Sequence, residues 1–198
     1  MLKIDVKELG IYFVNCYLIR EEQAKSCVII DPGGNTNKVM AYLEENGLTL
    51  EAILLTHGHF DHVGAVTELY EKTQCKVYLH TDDLMLPENF TAGPLFYTDA
   101  YGEGDVLELA GLTIRVMHTP GHTPGGVCLL CENAMFAGDT LFAGTCGRTD
   151  LPGSSPRQMR DSLSRLAKLE GNYRVLPGHG IYSTLDMEKR TNPYLQWS

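Results

Sequence analysis

The sequence predicts an α/β domain built from layered, mixed β-sheets, and three observations carry that prediction. Strand-length apolar runs alternate with helical periodicity in the first half of the chain, while the middle is mostly strands. The composition is ordinary for a globular protein, 43% hydrophobic and 21% charged over 198 residues. Four of the apolar strands run into a Gly or Pro turn that carries a metal-ligating type of residue, as when a fold gathers distant side chains at one rim.

The elements follow in order. KIDVKEL and YFVNCYLIREE read as strands, and SCVIIDPGG reads as a buried strand ending in a glycine turn. NTNKVMAYLEENG is a helix: Val39, Met40 and Leu43 share a face, Asn35 or Thr36 caps the start and Gly47 caps the end. EAILLT is a strand, AVTELYEKT a helix by its spacing, and CKVYLH, DVLEL, LTIRVMH, GVCLLC and AMFAGD continue the strands. SSPRQMRDSLSRLAKL is the clearest helix, with Ser155 as cap, Pro156 in the first position, and Met159, Leu163 and Leu166 on one stripe. YRVLPGHG is the last strand and turn, and DMEKRTNPYL a short closing helix. With no linker, low-complexity tract or internal repeat, residues 1–198 are expected to form a single domain, of a length that buries roughly 70% of its unfolded surface without disulfide staples.

Several function classes are disfavoured. A net charge of −9 argues against a nucleic-acid partner, which selects a basic footprint. MLKIDVKELG lacks the basic start and apolar core of a signal peptide, and no run reaches the roughly 18 apolar residues of a membrane span. The six cysteines are scattered without a framework, which reads as a cytoplasmic chain with free thiols. Cys128 and Cys131 have C-x-x-C spacing, but a strand points residues i and i+3 to opposite faces, about 10 Å apart along the chain. Neither a redox pair nor a zinc half-site is expected there.

The chemistry lies at the strand ends. THGHFDHVGA places His57, His59, Asp61 and His62 within six positions. IRVMHTPGH delivers His122, AMFAGD delivers Asp139 and YRVLPGHG delivers His179. His57 and His59, two apart in an extended stretch, project to one side and can chelate one ion; Asp61 and His62 follow a turn and can face a second. Five histidines and two aspartates exceed one tetrahedral zinc and suit two ions sharing a carboxylate. His80 and His118 belong to no such motif and read as ordinary core or surface histidines.

This order of motifs resembles the metallo-β-lactamase superfamily over nearly the whole chain, IIDPGG matching its first motif and AGDT its bridging aspartate. TPGHTPGG, GDTLFAGTCGRTDLPGS, LPGHG and RTNPYL resemble the glyoxalase II-like (hydroxyacylglutathione hydrolase-like) branch. The resemblance implies an αββα sandwich of two mixed sheets flanked by helices, with the metals at one edge. It implies that one metal takes His57, His59 and His122, the other Asp61, His62 and His179, and that Asp139 bridges them. Asp31 would orient a ligand, and Arg148 would contact the glycine carboxylate of a glutathione substrate. The implied cofactor is two Zn²⁺, with iron or mixed metals open, and the implied partner is a small-molecule thioester; oligomeric state is left open.

The implied activity is thioester hydrolysis by a hydroxide shared between two ions, with Asp61 also steering that nucleophile. A thiolate can leave unprotonated, its thiol pKa being about 8.5, whereas an amide nitrogen needs a proton donor. The chain departs from classical glyoxalase II in lacking its C-terminal helical region, and Asp150 stands where an aromatic is usual. The aromatic-rich segment 87–104 either lies over the site or is a packed loop. The alternative is a mononuclear-iron persulfide dioxygenase of the same superfamily, its ligands being His57, His122 and Asp139. A non-catalytic or nucleic-acid-processing member is disfavoured by the acidic charge and the complete ligand set.

Overall fold

A computed structural model describes residues 1–196. Strands β1 (Leu2–Leu9), β2 (Val14–Glu21) and β3 (Ser26–Ile30) lead into α1 (Thr36–Asn46), β4 (Thr49–Leu54), α2 (Phe60–Val63), α3 (Val66–Thr73) and β5 (Lys76–Leu79). A 3-10 turn over Thr81–Met85 precedes α4 (Glu88–Thr91), β6 (Asp99–Ala100), β7 (Val106–Leu109), β8 (Leu112–His118), β9 (Val127–Cys131) and β10 (Ala134–Gly138). Then come β11 (Leu141–Phe142), β12 (Thr145–Cys146), α5 (Pro156–Ala167), β13 (Arg174–Pro177), β14 (Ser183–Thr184), α6 (Leu185–Thr191) and a 3-10 turn over Pro193–Leu195.

Two mixed six-stranded sheets result, in the orders β1-β2-β3-β4-β5-β6 and β14-β13-β10-β9-β8-β7. β3, β4 and β5 run parallel, as do β10 and β13. The fold is therefore the expected αββα sandwich, and its layers are visible in single strands. In β3, Val28 and Ile30 enter the core between the sheets, where they meet Ile114, Leu129 and Phe136. Cys27 and Ile29 enter an outer core with Val39 and Leu43 of α1 and Val66 and Leu69 of α3. A strand covered on both faces must be apolar throughout, which is why SCVII shows no alternation. Met159, Leu163 and Leu166 of α5 form the third layer of packing, against the second sheet. Each fully buried leucine contributes about 1.5–3 kcal/mol.

Cys128 packs in that third layer and Cys131 between the sheets, both as free buried thiols. Cys128→Ser and Cys131→Ser, singly or together, are expected to leave metal stoichiometry unchanged while costing about 1–3 kcal/mol each for a buried hydroxyl. Elemental analysis with a thermal melt checks both halves of this expectation.

Several local readings are corrected by tertiary contacts. Gly47 ends α1 in a left-handed conformation as expected, but Asn35 makes no side-chain cap because its Oδ1 accepts from Gly10 N–H (2.9 Å). Ser155 and Pro156 start α5 as expected. The closing helix stops at Thr191 because the residue before Pro193 is driven out of the helical region, Asn192 having φ −80° and ψ 115°. Segment 87–104 is not one loop: it contains α4 and β6, Tyr101 is buried with its hydroxyl donating to Leu55 O (2.5 Å), and Phe96 and Tyr97 pack on the first outer core.

Candidate metal centre

The parallel strands explain why the ligand-type residues meet. β4 ends at Leu54, three residues before His57, and β10 and β13 lie in parallel register with Gly138 opposite Pro177. Gly178 N–H donates to Gly138 O (2.8 Å), so the next residues on each strand, Asp139 and His179, emerge side by side. β8 leads through Thr119 into the turn carrying His122. All seven sequence-predicted ligand residues converge there. Ligand atoms of His57, His59 and His122 lie within 4.8 Å of one another, and the same holds for Asp61, His62 and His179 and for His57, His62 and Asp139.

The hydrogen bonds decide which nitrogen of each ring faces the centre. His122 Nδ1 donates to Arg148 O (2.9 Å), His62 Nδ1 to Asp31 Oδ2 (3.0 Å) and His179 Nδ1 to Tyr12 O (3.2 Å). Thr56 Oγ1 gives its proton to Asp31 Oδ2 (2.5 Å), so it accepts from His57 Nδ1 at 3.2 Å. In each of these rings the Nε2 lone pair is then the one left for the centre. His59 differs, presenting Nδ1 at 2.9 Å from His122 Nε2.

Lone pairs brought together this way repel unless a cation lies among them. His62 Nε2 and His179 Nε2 are 3.3 Å apart, with Asp139 Oδ1 3.5 Å from the first and Asp61 Oδ2 3.2 Å from the second. Asp139 Oδ2 reaches the other group, 3.5 Å from His122 Nε2. His57 Nε2, His59 Nε2 and Asp139 Oδ1 are buried with no hydrogen-bond partner, which a satisfied polar interior does not leave. The unpartnered His57 Nε2 and Asp139 Oδ1, gathered with His59 Nδ1 and the Nε2 atoms of His62, His122 and His179, fit metal ions.

The electrostatics agree. Burial pushes the His57 imidazole well below its ordinary pKa, with His62 and His59 adding to the effect. Burial and the neighbouring His122 push His59 down to about 4. These rings are held neutral, the form that ligates. Burial opposes charge on His62 too, but Asp31 and Asp139 hold its pKa up at about 9. Asp61 falls to about 2 in spite of its own burial, through the His179 hydrogen bond and the charge of His62. The carboxylates thus favour positive charge between His62 and His179, and a divalent cation supplies more of it than a proton.

The remaining predicted residues lie around the ligands. Asp31, 1% exposed, bonds both Thr56 and His62 and so links the turn after β3 to the histidine segment. Arg148 lines the same cleft, but its guanidinium makes a bidentate pair with Asp150 (2.9 and 3.0 Å), and both side chains are about 70% exposed. The cleft is about 440 Å³, with Tyr12, Phe60, Phe90 and Leu151 as its apolar walls. Phe90 is thus the one aromatic of segment 87–104 found in that wall. Tyr12 and Thr56 escaped the sequence reading because each acts through a neighbour, by a carbonyl and a hydroxyl that no spacing reveals. His80, Asp82 and His118 form a further group, but the two rings stack at 4.1 Å and 13°, so their in-plane lone pairs run parallel and do not meet at one ion.

The metallo-beta-lactamase superfamily profile matches residues 9–179. The chain is 34% identical to hydroxyacylglutathione hydrolase GloC of Haemophilus influenzae, over 98% of each protein. It is similar to the crystal structure of TTHA1623 in a di-iron-bound form (TM-score 0.85, 40% identity, covering 96% of this chain and 99% of that one). It is also similar to ETHE1 from Myxococcus xanthus (TM-score 0.84, 29% identity, 96% and 83% covered).

Proposed function

This chain belongs to the metallo-beta-lactamase superfamily, and from that premise we propose that it is a dinuclear metal-dependent hydrolase of small acyl thioesters. The observation that carries the reading is the second ligand group. A single ion among His57, His59 and His122 would leave His62 Nε2 and His179 Nε2 opposed at 3.3 Å beside two carboxylates. In this reading His57, His59 and His122 hold one ion, Asp61, His62 and His179 the other, and Asp139 spans both. Two bound ions, zinc in the simplest case, would make a water between them acidic enough to attack at neutral pH and would polarise the substrate carbonyl.

The protein's own groups do the rest. Asp31 fixes the His62 tautomer, and the Arg148 carbonyl and the Tyr12 carbonyl do the same for His122 and His179. Asp61, turned to His179, can also accept a hydrogen bond from the attacking water and aim its lone pair. The apolar walls suit an acyl chain and exclude bulk water. A thiolate leaves without a proton donor, which favours a thioester over an amide. The likeness to GloC points to a glutathione thioester such as S-D-lactoylglutathione.

Arg148 would bind the glutathione carboxylate. Its pair with Asp150 is exposed and therefore worth little, so the guanidinium can exchange one carboxylate for another. Arg148→Ala is expected to raise KM for the glutathione thioester by roughly 10-fold with kcat little changed, the pattern of lost uniform binding. A flat KM with a lowered melting temperature would make the arginine structural.

The likeness to ETHE1 favours a second reading, a mononuclear-iron persulfide dioxygenase using His57, His122 and Asp139. Metal analysis of the purified protein with two assays separates them. About two zinc per chain with thioester turnover supports the hydrolase. About one iron, with oxygen consumed in the presence of glutathione persulfide and no thioester turnover, supports the oxygenase.

A further inference from the structure

Asp83, in the 3-10 turn after β5, is 0% exposed and belongs to no ligand motif. Its Oδ2 accepts from Gly58 N–H (2.7 Å) and from Thr123 Oγ1 (3.1 Å), and its Oδ1 accepts from Gly125 N–H (2.6 Å). Gly58 lies between His57 and His59. Thr123 and Gly125 follow His122 in the turn after β8. One carboxylate therefore ties together the two chain segments that carry the first ligand group, with His59 and His122 lying 63 residues apart in sequence and following strands of different sheets.

The close approach is built into the neighbouring residues. A Cβ on Gly125 would sit 2.8 Å from Asp83 N and 2.9 Å from Oδ1, and one on Gly58 would sit 2.6 Å from Leu95 Cδ1 and 3.4 Å from Asp83 Cβ. Gly125 is thus needed for Asp83 to reach its amide, whereas a side chain at Gly58 would press on Leu95 rather than on Asp83. No other acidic or amide side chain bonds to Gly58, Thr123 or Gly125 among the described residues.

We propose that Asp83 is a positioning residue for the metal centre, holding the His57–His59 segment and the His122 turn at the separation that lets their three imidazoles share one ion. The proposal rests on the metal-centre reading above. Its chemistry requires a carboxylate: all three partners donate, so an amide in its place turns one –NH₂ against at least one donor. In the second group, His62 and His179 take their alignment from Asp31 and Tyr12, and the Asp83 carboxylate bonds to Gly58, Thr123 and Gly125 instead.

The test is Zn²⁺ binding to the full-length protein by chelator competition, with histidine-ring ¹⁵N NMR reporting which imidazoles ligate. Asp83→Asn is expected to weaken Zn²⁺ at His57, His59 and His122 by roughly 10- to 100-fold, the range for groups that orient ligands, and to leave His62 and His179 within about 2-fold. Hydrogen exchange of the Gly58 and Gly125 amides should accelerate. Thr123→Val, which removes one donor and keeps the shape, should give a smaller loss at the same group and keeps the idea testable if the Asn variant folds poorly. Equal loss at both groups, or unchanged affinity at the first with only a lowered melting temperature, would overturn it. If the unaltered protein takes up no Zn²⁺ on His57, His59 and His122, the metal reading itself fails and this proposal goes with it, an outcome visible before any variant is made.

Discussion

Asp139→Ala is expected to lower metal content from about two ions per chain to one or fewer and to reduce kcat/KM by ~10³-fold or more, since charge stabilisation by the ions supplies several kcal/mol. The reason is position. Its oxygens reach both groups, Oδ1 lying 3.5 Å from His62 Nε2 and Oδ2 lying 3.5 Å from His122 Nε2 and 3.8 Å from His179 Nε2. No other carboxylate among the described residues is shared in this way. His59→Ala, which removes a ligand from one group alone, should lose activity to a similar degree but keep the ion on Asp61, His62 and His179. Elemental analysis of the two variants distinguishes a bridging residue from a terminal one. If the Asp139 variant retains both metals, the bridging role is wrong.

The second large effect is expected from a residue with no side chain. A Cβ on Gly178 would lie 2.5 Å from Asp139 Oδ1 and 2.6 Å from His62 Cε1, closer than unbonded carbon comes to either. The strain has no free outlet, because His62 is fully buried and bonded to Asp31 and the Gly178 amide is held by Gly138 O. Gly178→Ala should therefore displace Asp139 or His62 and weaken both ions. Overpacking of this kind costs about 1–3 kcal/mol. In a chain of this size that is a drop of roughly 2–12 °C in Tm, accompanied by at least a roughly 10-fold loss of kcat/KM. Full activity with an unchanged Tm would mean that the strand ends are looser than their hydrogen bonds imply.

The sequence by itself determined which ligand-type side chains gather at the strand ends and the kind of sandwich that presents them. Ligation needs particular side chains, and His57, His59, Asp61 and His62 are close enough in the chain for local geometry to align them. The strands are legible for a similar reason: a sheet covered on both faces needs unbroken apolar runs such as SCVII and VCLLC, and a helix on one face needs the stripe of Met159, Leu163 and Leu166. Even the opposed faces of Cys128 and Cys131 follow from the two-residue period of a strand.

Only the tertiary structure decided how each of those side chains is held. Which nitrogen His62 turns inward depends on Asp31, 31 positions away, and for His179 it depends on the carbonyl of Tyr12, 167 positions away. Backbone carbonyls and hydroxyls carry no sequence signature, so such partners appear only when the chain is folded. The same cause took Asn35 from its helix to Gly10 and divided the aromatics of segment 87–104 between two cores and the cleft. It also left Asp83 unreadable: an aspartate in a turn is common, and its three donors come from two loops that only the packed sheets bring together.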